Sequence, residues 1–502
     1  MMSSGHSKEL RRLALSLLQP GFVGTTAPDW ILREIRNGLA SVVLFSRNIV
    51  STEQVARLTA QLRAENPELI IAIDEESGDV TRIESATGST RPGNYALGVA
   101  DDTELTASVA ADLGRQLRAV GVSLDYAPSV DVNSNPDNPI IGVRSFGAEP
   151  EAVSRHAGAW VRGLQSAGVA ACAKHFPGHG DVAVDSHHSL PCYTASRERI
   201  AVEALPPFRA ALDAGVRAVM SGHLLVPAYD PDLPATLSRR ILVDLLRHEL
   251  GFDGLIVTDA IEMGAVAERY GIDGAAVRAV VAGADAICVG GENADEGTTT
   301  RLADALCDAV IGGELSEDRL ADAVDRVGAF ARWSTELRRG EPDATADEAI
   351  GLVAARRALR LTGSVRDALP LSAAPHVAEL VPVTNLAVGN ETPWGVALPL
   401  SERLRGTTSV RVHGDALREP GTAVDACGLE AASGRPLVVV VRDSARHLWM
   451  GKALAEITAV RPDALVVEMG LPGPDTGAAR ICTHGASAAS GIAAAELLTG
   501  AR

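Results

Sequence analysis

The sequence predicts an α/β protein in which a (β/α)8 barrel of the TIM type is followed by a smaller α/β/α sandwich domain. Two observations support this prediction. Eight short apolar runs alternate with helical patterns over about 330 residues, as in a barrel with insertions. The composition then shifts at the charged, proline-containing stretch 338–349, and valine-rich runs follow it. We therefore expect a barrel over residues 1–340, a linker over 341–350 and a sandwich over 351–502.

The barrel strands are expected where short apolar runs end in polar residues. The segments between them, such as 103–121 and 151–168, are rich in Ala, Leu and Arg with apolar residues at helical spacing. A doubly wound parallel sheet is the alternative that fits the same alternation. The candidate strands lie at 17–23, 41–45, 69–74, 122–128, 169–174, 217–222, 255–259 and 285–290.

The second part of the chain contains four further candidate strands, at residues 377–384, 408–414, 436–441 and 463–470. Their near-continuous valine runs predict strands that are buried on both faces, with the Ala-rich segments between them as helices. Neither part contains a G-x-x-x-x-G-K-[ST] loop or a strand-linked G-x-G-x-x-G, so we expect no nucleotide cofactor.

Composition favours a small ligand over a large charged partner. The 502 residues carry 64 acidic against 46 basic side chains, and this net charge of −18 argues against nucleic acid or an anionic membrane as partner. Aromatic residues make up 3% of the chain, which suits a short pocket better than a long polysaccharide groove. The sequence carries no signal for an oligomeric state.

Several features favour a reducing, cytoplasmic location. The six cysteines are scattered without a C-x-x-C motif, which is typical of buried free thiols. The apolar run after Arg11 and Arg12 is short and ends at 19–21 without a small-residue cleavage site, so we interpret it as mature protein rather than a signal peptide. No apolar run reaches the length of a membrane span.

The densest cluster of titratable residues is the segment 173–191, AKHFPGHGDVAVDSHHSLP. Its glycines and proline predict a loop, and loops rich in such groups are frequent reaction sites. His179, His187 and His188 could in principle bind a metal, but their spacing matches no ligand pattern, so we expect no metal or other cofactor.

Polar residues also follow several other candidate strands. In a barrel the carboxyl ends of all strands meet on one face, so these residues should converge there. Taken singly, an aspartate in such a place could instead cap the next helix. The strand-end residues are Asp74, Asp131, Lys174, His175, His223 and Asp259.

Four segments closely resemble the β-N-acetylhexosaminidases of glycoside hydrolase family 3: IDEESGDVTR (73–82), NPIIGVRSFG (138–147), KHFPGHGDVAVDSHHSLP (174–191) and GFDGLIVTDAIEMGA (251–265). The resemblance implies that Asp259 is the nucleophile and that Asp185 and His187 form an acid/base dyad. It further implies residues that hold the sugar in the terminal subsite. The substrate-binding candidates are Asp74, Arg82, Arg144, Lys174, His175 and His223.

The sequence departs from the family pattern at two places. The usual Glu-Gly-Gly-Arg after the third strand is Glu76-Ser77-Gly78-Asp79, and a common second aspartate after the nucleophile is Ala260. The first departure concerns the shape and distal contacts of the loop rather than the terminal subsite.

The chemistry of these residues suits retaining cleavage of a glycoside, which needs a carboxylate nucleophile and a proton donor. Histidine is suited to that proton transfer near neutral pH. We expect an exo-acting β-N-acetylglucosaminidase that hydrolyses small saccharides, such as chitobiose-type or peptidoglycan fragments. The alternatives are a phosphorylase, in which phosphate replaces water as acceptor, and a non-catalytic sugar-binding protein.

Overall fold

The computed structural model describes residues 6–186, 189–291, 293–340, 349–383, 388–389, 391–417, 421–430, 432–473 and 479–500. The chain forms two compact units. The first unit comprises Met1–Glu75, Thr106–Ile141 and Ala148–Ala346, and the second comprises Glu76–Leu105, Gly142–Gly147 and Asp347–Arg502. Two segments from the first part of the sequence therefore pack within the second unit. The expected linker falls largely on residues 341–348, which lie outside the described residues, and the boundaries 340 and 351 stay a prediction.

The described residues contain strands and α-helices that we number in chain order. The strands are β1 Leu18–Pro20, β2 Ser41–Leu44, β3 Ile70–Ile73, β4 Leu124–Asp125, β5 Ala170–Phe176, β6 Ala218–Ser221, β7 Leu225–Val226, β8 Asp230–Pro234, β9 Leu255–Thr258, β10 Ile287–Val289, β11 Arg360–Thr362, β12 His376–Val381, β13 Thr408–His413, β14 Leu437–Val441, β15 Leu465–Glu468 and β16 Arg480–Cys482. The helices are α1 Lys8–Ser16, α2 Asp29–Asn37, α3 Thr52–Glu65, α4 Asn94–Ala100, α5 Thr103–Ala119, α6 Pro150–Ser166, α7 Arg197–Glu203, α8 Leu205–Asp213, α9 Gly264–Ala282, α10 Glu296–Ile311, α11 Glu317–Arg339, α12 Ile350–Ala358, α13 Ala397–Arg403, α14 Ala423–Ala426, α15 Leu448–Val460 and α16 Ala488–Thr499. A π-helical stretch also spans Arg240–Glu249. None of the described helices has the length and apolarity needed to cross a membrane.

The first unit is built on eight parallel strands. Six of them pair in the order β2-β3-β4-β5-β6-β9, and β1 pairs with β10. A parallel bridge between Val257 and Ala286 links β9 to the segment before β10, and the Gln19 side chain of β1 donates to Ser41 of β2 at 3.3 Å. These links join the two sheets into a ring, and the predicted (β/α)8 barrel is confirmed. The short hairpin of β7 and β8 is an insertion in this ring that the sequence analysis did not identify.

The barrel interior is an apolar cluster to which successive strands contribute alternate residues. Since the members come from strands all around the ring, they must face its inside. On β1, Gln19 accepts a hydrogen bond from the buried Tyr126 hydroxyl. Residues from α11 complete the cluster. Its buried members are Val43, Ile70, Ala72, Leu124, Tyr126, Ala170, Cys172, Ala218, Met220, Leu255, Val257, Ala286, Cys288, Val327, Phe330 and Ala331.

The second unit is a six-stranded sheet in the order β11-β16-β15-β14-β12-β13, parallel except for β11. Its valine strand β14 shows why both faces are buried. Val439 and Val441 pack into one apolar cluster with Ile457 of α15, and Val438 and Val440 pack into another, which contains residues of α13 and α16. The predicted α/β/α sandwich is confirmed. The short edge strand β11 and its neighbour β16 were not predicted.

Candidate active site

Three charged side chains continue the inward-facing rows of the barrel at the carboxyl ends of its strands. Asp74 follows Ile70 and Ala72 at the spacing of alternate strand residues. Lys174 likewise follows Ala170 and Cys172, and Asp259 follows Leu255 and Val257. Because side chains two apart along a strand point to the same face, all three are directed into one end of the barrel. This is where barrel enzymes carry their reactive groups.

Asp74 and Lys174 form an ion pair at this end, with Nζ of Lys174 2.7 Å from Oδ1 of Asp74. Lys174 is almost fully buried, whereas the Asp74 side chain is 26% exposed. The neighbouring Asp125, at the end of β4, accepts a hydrogen bond from the Glu75 backbone at 3.0 Å. Complete burial raises the pKa of Asp125 well above its ordinary value. Asp74 thus presents a carboxylate that is both oriented by a cation and open to a ligand.

His175 is fixed by the buried carboxylate of Asp131, which follows β4. Nδ1 of His175 donates to Oδ2 of Asp131 at 2.7 Å, and the backbone amide of His179 donates to Oδ1 at 2.6 Å. Burial acts to raise the pKa of Asp131, but the adjacent His175 and His179 outweigh it and the pKa lies below its ordinary value. A cis peptide bond joins Lys174 to His175. Asp131 therefore sets both the orientation and the tautomer of the His175 ring.

The loop after β5 is held close to the loop after β4. A side chain at Gly180 would collide with the carbonyl of Val132, so only glycine permits this approach. His179 is buried at 3% exposure, and burial together with the nearby His175 lowers its pKa to about 4. Its ring is consequently neutral at pH 7, and Nε2 lies 3.2 Å from the Ser186 hydroxyl.

Ser186 anchors the segment that contains the expected acid/base dyad. Its carbonyl accepts a hydrogen bond at 3.3 Å from the amide of Ala265, in the segment that follows Asp259. Asp185, directly before Ser186, is half-buried, and its carbonyl accepts from the amide of Ser189 at 3.1 Å. His187 and His188 lie outside the described residues. The described part of the segment is therefore tied to the start of α9, the helix that follows the candidate nucleophile.

Asp259 and His223 are neighbours at the ends of β9 and β6. Oδ1 of Asp259 accepts from the amide of Ala260 at 2.8 Å, and Nε2 of His223 donates to the Ala260 carbonyl at 3.0 Å. Nδ1 of His223 lies 2.8 Å from the Thr236 hydroxyl. His223 is completely buried, whereas Asp259 is half-buried. This arrangement gives His223 a role in shaping the backbone next to Asp259.

Arg144 and Arg82 lie on the two segments, 142–147 and 76–105, that pack within the second unit. Arg144 makes a bidentate ion pair with Glu76, with Nε–Oε2 and Nη2–Oε1 distances of 2.9 and 2.6 Å. Both side chains are buried, and Asn94 donates to the Arg144 carbonyl at 2.7 Å. Arg82 is half-buried at the start of a turn whose Ser85 amide donates to its carbonyl.

Sequence comparison then identifies the family. The profile of the glycosyl hydrolase family 3 N-terminal domain matches residues 25–329. The chain belongs to glycoside hydrolase family 3.

Named relatives within the family are about one third identical to the chain over the aligned residues. A β-hexosaminidase of Chromobacterium violaceum is 36% identical over 352 residues, covering 68% of the chain and 91% of the relative. A β-hexosaminidase A of Pseudoalteromonas piscicida is 33% identical over 359 residues, covering 66% of the chain. The match spans 60% of that relative, so the chain covers less than two thirds of its length.

A solved structure of the same family extends the similarity to both parts of the chain. It is a glycoside hydrolase family 3 β-N-acetylglucosaminidase from Paenibacillus sp. str. FPU-7, with a TM-score of 0.86 and 33% identity. The superposition covers 98% of the chain and 96% of that structure. The resemblance on which the sequence analysis relied is thus confirmed at the level of family and fold.

The contacts that orient the candidate sugar-binding residues were not predicted from the sequence. Glu76 had no role assigned, yet it pairs with Arg144. Asp131 was identified from its place at the end of a strand. Its hydrogen bonds with His175 and His179 were not predictable, because these residues are distant from it in sequence. Within the described residues, no group of three or more His, Cys, Asp or Glu side chains is arranged to hold a metal ion.

Proposed function

We propose that this family 3 member is a retaining exo-β-N-acetylglucosaminidase. Its substrates would be small saccharides that end in β-linked N-acetylglucosamine, such as chitobiose-type or peptidoglycan fragments. The Chromobacterium relative is a β-hexosaminidase and the Paenibacillus structure is a β-N-acetylglucosaminidase, and both support the reaction class. The 3% aromatic content supports a short pocket, because long saccharide grooves usually depend on stacked rings.

In the proposed reaction the Asp259 carboxylate attacks the anomeric carbon while His187 protonates the leaving glycosidic oxygen. Asp185 would orient the His187 ring and stabilise its charged form, as an aspartate does in a hydrolase triad. In the second step neutral His187 would take a proton from water, which attacks the anomeric carbon and releases Asp259. The sugar is thereby freed with its configuration retained.

Asp74, Lys174 and His175 are proposed to hold the hydroxyl groups of the terminal sugar, together with Arg144 and Arg82. The buried His223 would act indirectly, through the backbone next to Asp259. The ion pair of Lys174 with Asp74 and the contact of His175 with Asp131 support this role, since both fix polar groups before a ligand arrives. Preorganised donors and acceptors favour a neutral, hydroxyl-rich ligand.

One observation carries the proposal: the hydrogen bond from Ala265 to the Ser186 carbonyl. Ser186 lies between Asp185 and His187, in the segment that follows β5. Ala265 lies in the segment that follows β9 and contains Asp259. The contact therefore joins the segment of the proposed proton donor to the segment of the proposed nucleophile, as a double-displacement mechanism needs.

The first test is turnover of 4-nitrophenyl N-acetyl-β-D-glucosaminide with and without millimolar phosphate. A hydrolase releases free N-acetylglucosamine at a rate that does not depend on phosphate. A dominant sugar 1-phosphate signal in the ³¹P NMR spectrum, with a rate that rises with phosphate, would establish a phosphorylase instead. Binding of N-acetylglucosamine without turnover would indicate a sugar-binding protein.

A further inference from the structure

A tight turn in the second unit lies between two carboxylates. Ser77 and Gly78 have φ angles of 60° and 62°, so both occupy the left-handed region. The amide of Val80 donates to the Ser77 carbonyl at 3.3 Å, and the amide of Glu76 donates to the Val80 carbonyl at 3.1 Å. Two consecutive left-handed residues are typical of the tightest hairpin turns. Glu76 and Asp79 flank this turn directly.

The turn fits closely against a neighbouring segment. The amide of Gly78 donates to the Arg91 carbonyl at 3.2 Å, and the Ser77 hydroxyl donates to the Pro92 carbonyl at 3.1 Å. A side chain at Gly78 would collide with the backbone of Gly93. The neighbouring segment blocks movement of the turn towards it. Whether the turn can move in the opposite direction depends on the contacts at its two ends.

Both ends are held by arginines from elsewhere in the second unit. On one side Arg144 forms the bidentate ion pair with Glu76 described above. On the other side Arg442, which follows β14 of the sandwich, lies 2.6 Å from Oδ2 of Asp79. Oδ1 of Asp79 accepts from the amide of Ala486 at 2.7 Å. The sandwich therefore supplies two donors to one carboxylate of the turn.

The Asp79–Arg442 pair is buried, with side-chain exposures of 3% and 6%. Burial raises the pKa of Asp79, and the charge of Arg442 opposes that effect. Removing one member of a buried pair leaves the other charge uncompensated, which is strongly unfavourable. The uncompensated carboxylate would have to take up a proton or reach solvent, and either change would alter the contacts that hold this end of the turn.

We infer that Arg442 is a positioning residue for substrate binding. It fixes Asp79 at one end of the turn, and through the turn it keeps the Glu76–Arg144 pair in place at the other end. The inference rests on the proposed function, because it treats Arg144 as a sugar-binding residue. It gives the sandwich a specific task.

The test measures KM and kcat separately for 4-nitrophenyl N-acetyl-β-D-glucosaminide in three full-length variants: Arg442→Met, Asp79→Asn and the double variant. We expect Arg442→Met to raise KM by about tenfold while kcat changes less, because ångström-scale misplacement of a binding group weakens substrate capture. The double variant has no buried charge left over, so its KM should lie closer to that of the wild type.

A matched control comes from the same sheet. Glu379 is also buried, accepts from the backbone amides of Val396 and Ala397 through Oε1, and pairs with Arg411 through Oε2 at 2.8 Å. Glu379→Gln should lower the melting temperature as Asp79→Asn does but leave KM unchanged. The conservative variant Arg442→Lys keeps the charge and should retain most of the wild-type KM, even if Arg442→Met folds poorly.

Three outcomes would overturn the inference: an unchanged KM in folded Arg442→Met, an equal rise of KM in Glu379→Gln, or a double variant that is worse than either single variant. Failure of the proposed function would look different, because the wild-type chain itself would then not cleave the substrate. In that event the same variants can be compared by the affinity of N-acetylglucosamine in calorimetry, with the same expected order.

Discussion

Replacing Asp131 by asparagine tests whether one buried carboxylate organises the His175 side of the site. The wild-type carboxylate accepts from Nδ1 of His175 at 2.7 Å and from the amide of His179 at 2.6 Å. An amide keeps only one acceptor oxygen, and its NH2 group would face the other donor. Hydrogen bonds to a charged group contribute about 1.5–3 kcal/mol each, so Asp131→Asn should destabilise the protein by roughly that amount.

Activity should fall as well, since the Asn side chain no longer selects the tautomer of His175. We expect kcat/KM for the aryl glycoside to drop by about tenfold to a hundredfold. The unfolding midpoint in urea, followed by tryptophan fluorescence, gives the stability change. A loss below about 1 kcal/mol with unchanged kcat/KM would refute the reasoning.

The pH dependence of the same variant has a definite sign. The pKa of Asp131 in the folded protein lies below its ordinary value of 3.8, so the carboxylate stabilises the fold above that value. The wild type should lose this contribution as the pH falls through the lowered pKa, and the difference from Asp131→Asn should shrink there. Asp125→Asn is the matched control. Because burial raises the pKa of Asp125, an amide in its place should be neutral or stabilising at pH 7.

Three further predictions concern the proposed catalytic groups. Asp259→Asn should lower kcat by several orders of magnitude with an unchanged melting curve, because covalent catalysis loses its nucleophile; near-normal turnover would contradict the assignment. His187→Ala should slow substrates with poor leaving groups far more than activated aryl glycosides, and Asp185→Asn should do so less severely; equal losses on both substrate types would indicate a binding role. Ser186→Ala removes the hydroxyl beside His179 but keeps the carbonyl contact, so we expect a decrease in kcat of about threefold to tenfold that is largest for poor leaving groups. Unchanged kcat for all leaving groups would exclude that positioning role.

The sequence predicted those features that depend on local pattern. The strand expected at 255–259 is β9, Leu255–Thr258, and the helix expected at 103–121 is α5, Thr103–Ala119. The burial of β14 on both faces was predictable from its continuous valine run, because Val438 and Val439 face opposite apolar clusters and both have to be apolar. Strand ends also indicated where the polar residues would converge, since all parallel strands of a barrel end on the same face.

The remaining features depend on partners that are distant in the chain. Nothing near Asp79 in the sequence indicates Arg442, and nothing near His175 singles out Asp131 as the residue that fixes its ring. β11 and β16 have three residues each, too few for a periodic signal. They are defined by pairing, β11 antiparallel to β16 and β16 parallel to β15. Residues 76–105 likewise precede most of the barrel in sequence but pack within the second unit, which no local pattern predicts.

The most direct test of the central claim is to trap the sugar on the enzyme. An N-acetylglucosaminyl fluoride that carries a second fluorine at C5 slows both steps through its electron-poor transition state, while the good leaving group keeps the first step fast. After incubation and proteolysis, mass spectrometry should locate the sugar adduct on the peptide that contains Asp259, and Asp259→Asn should give none. Turnover with retained configuration but no adduct on Asp259, or an adduct on another residue, would contradict the account and indicate a different nucleophile, such as the acetamido group of the substrate.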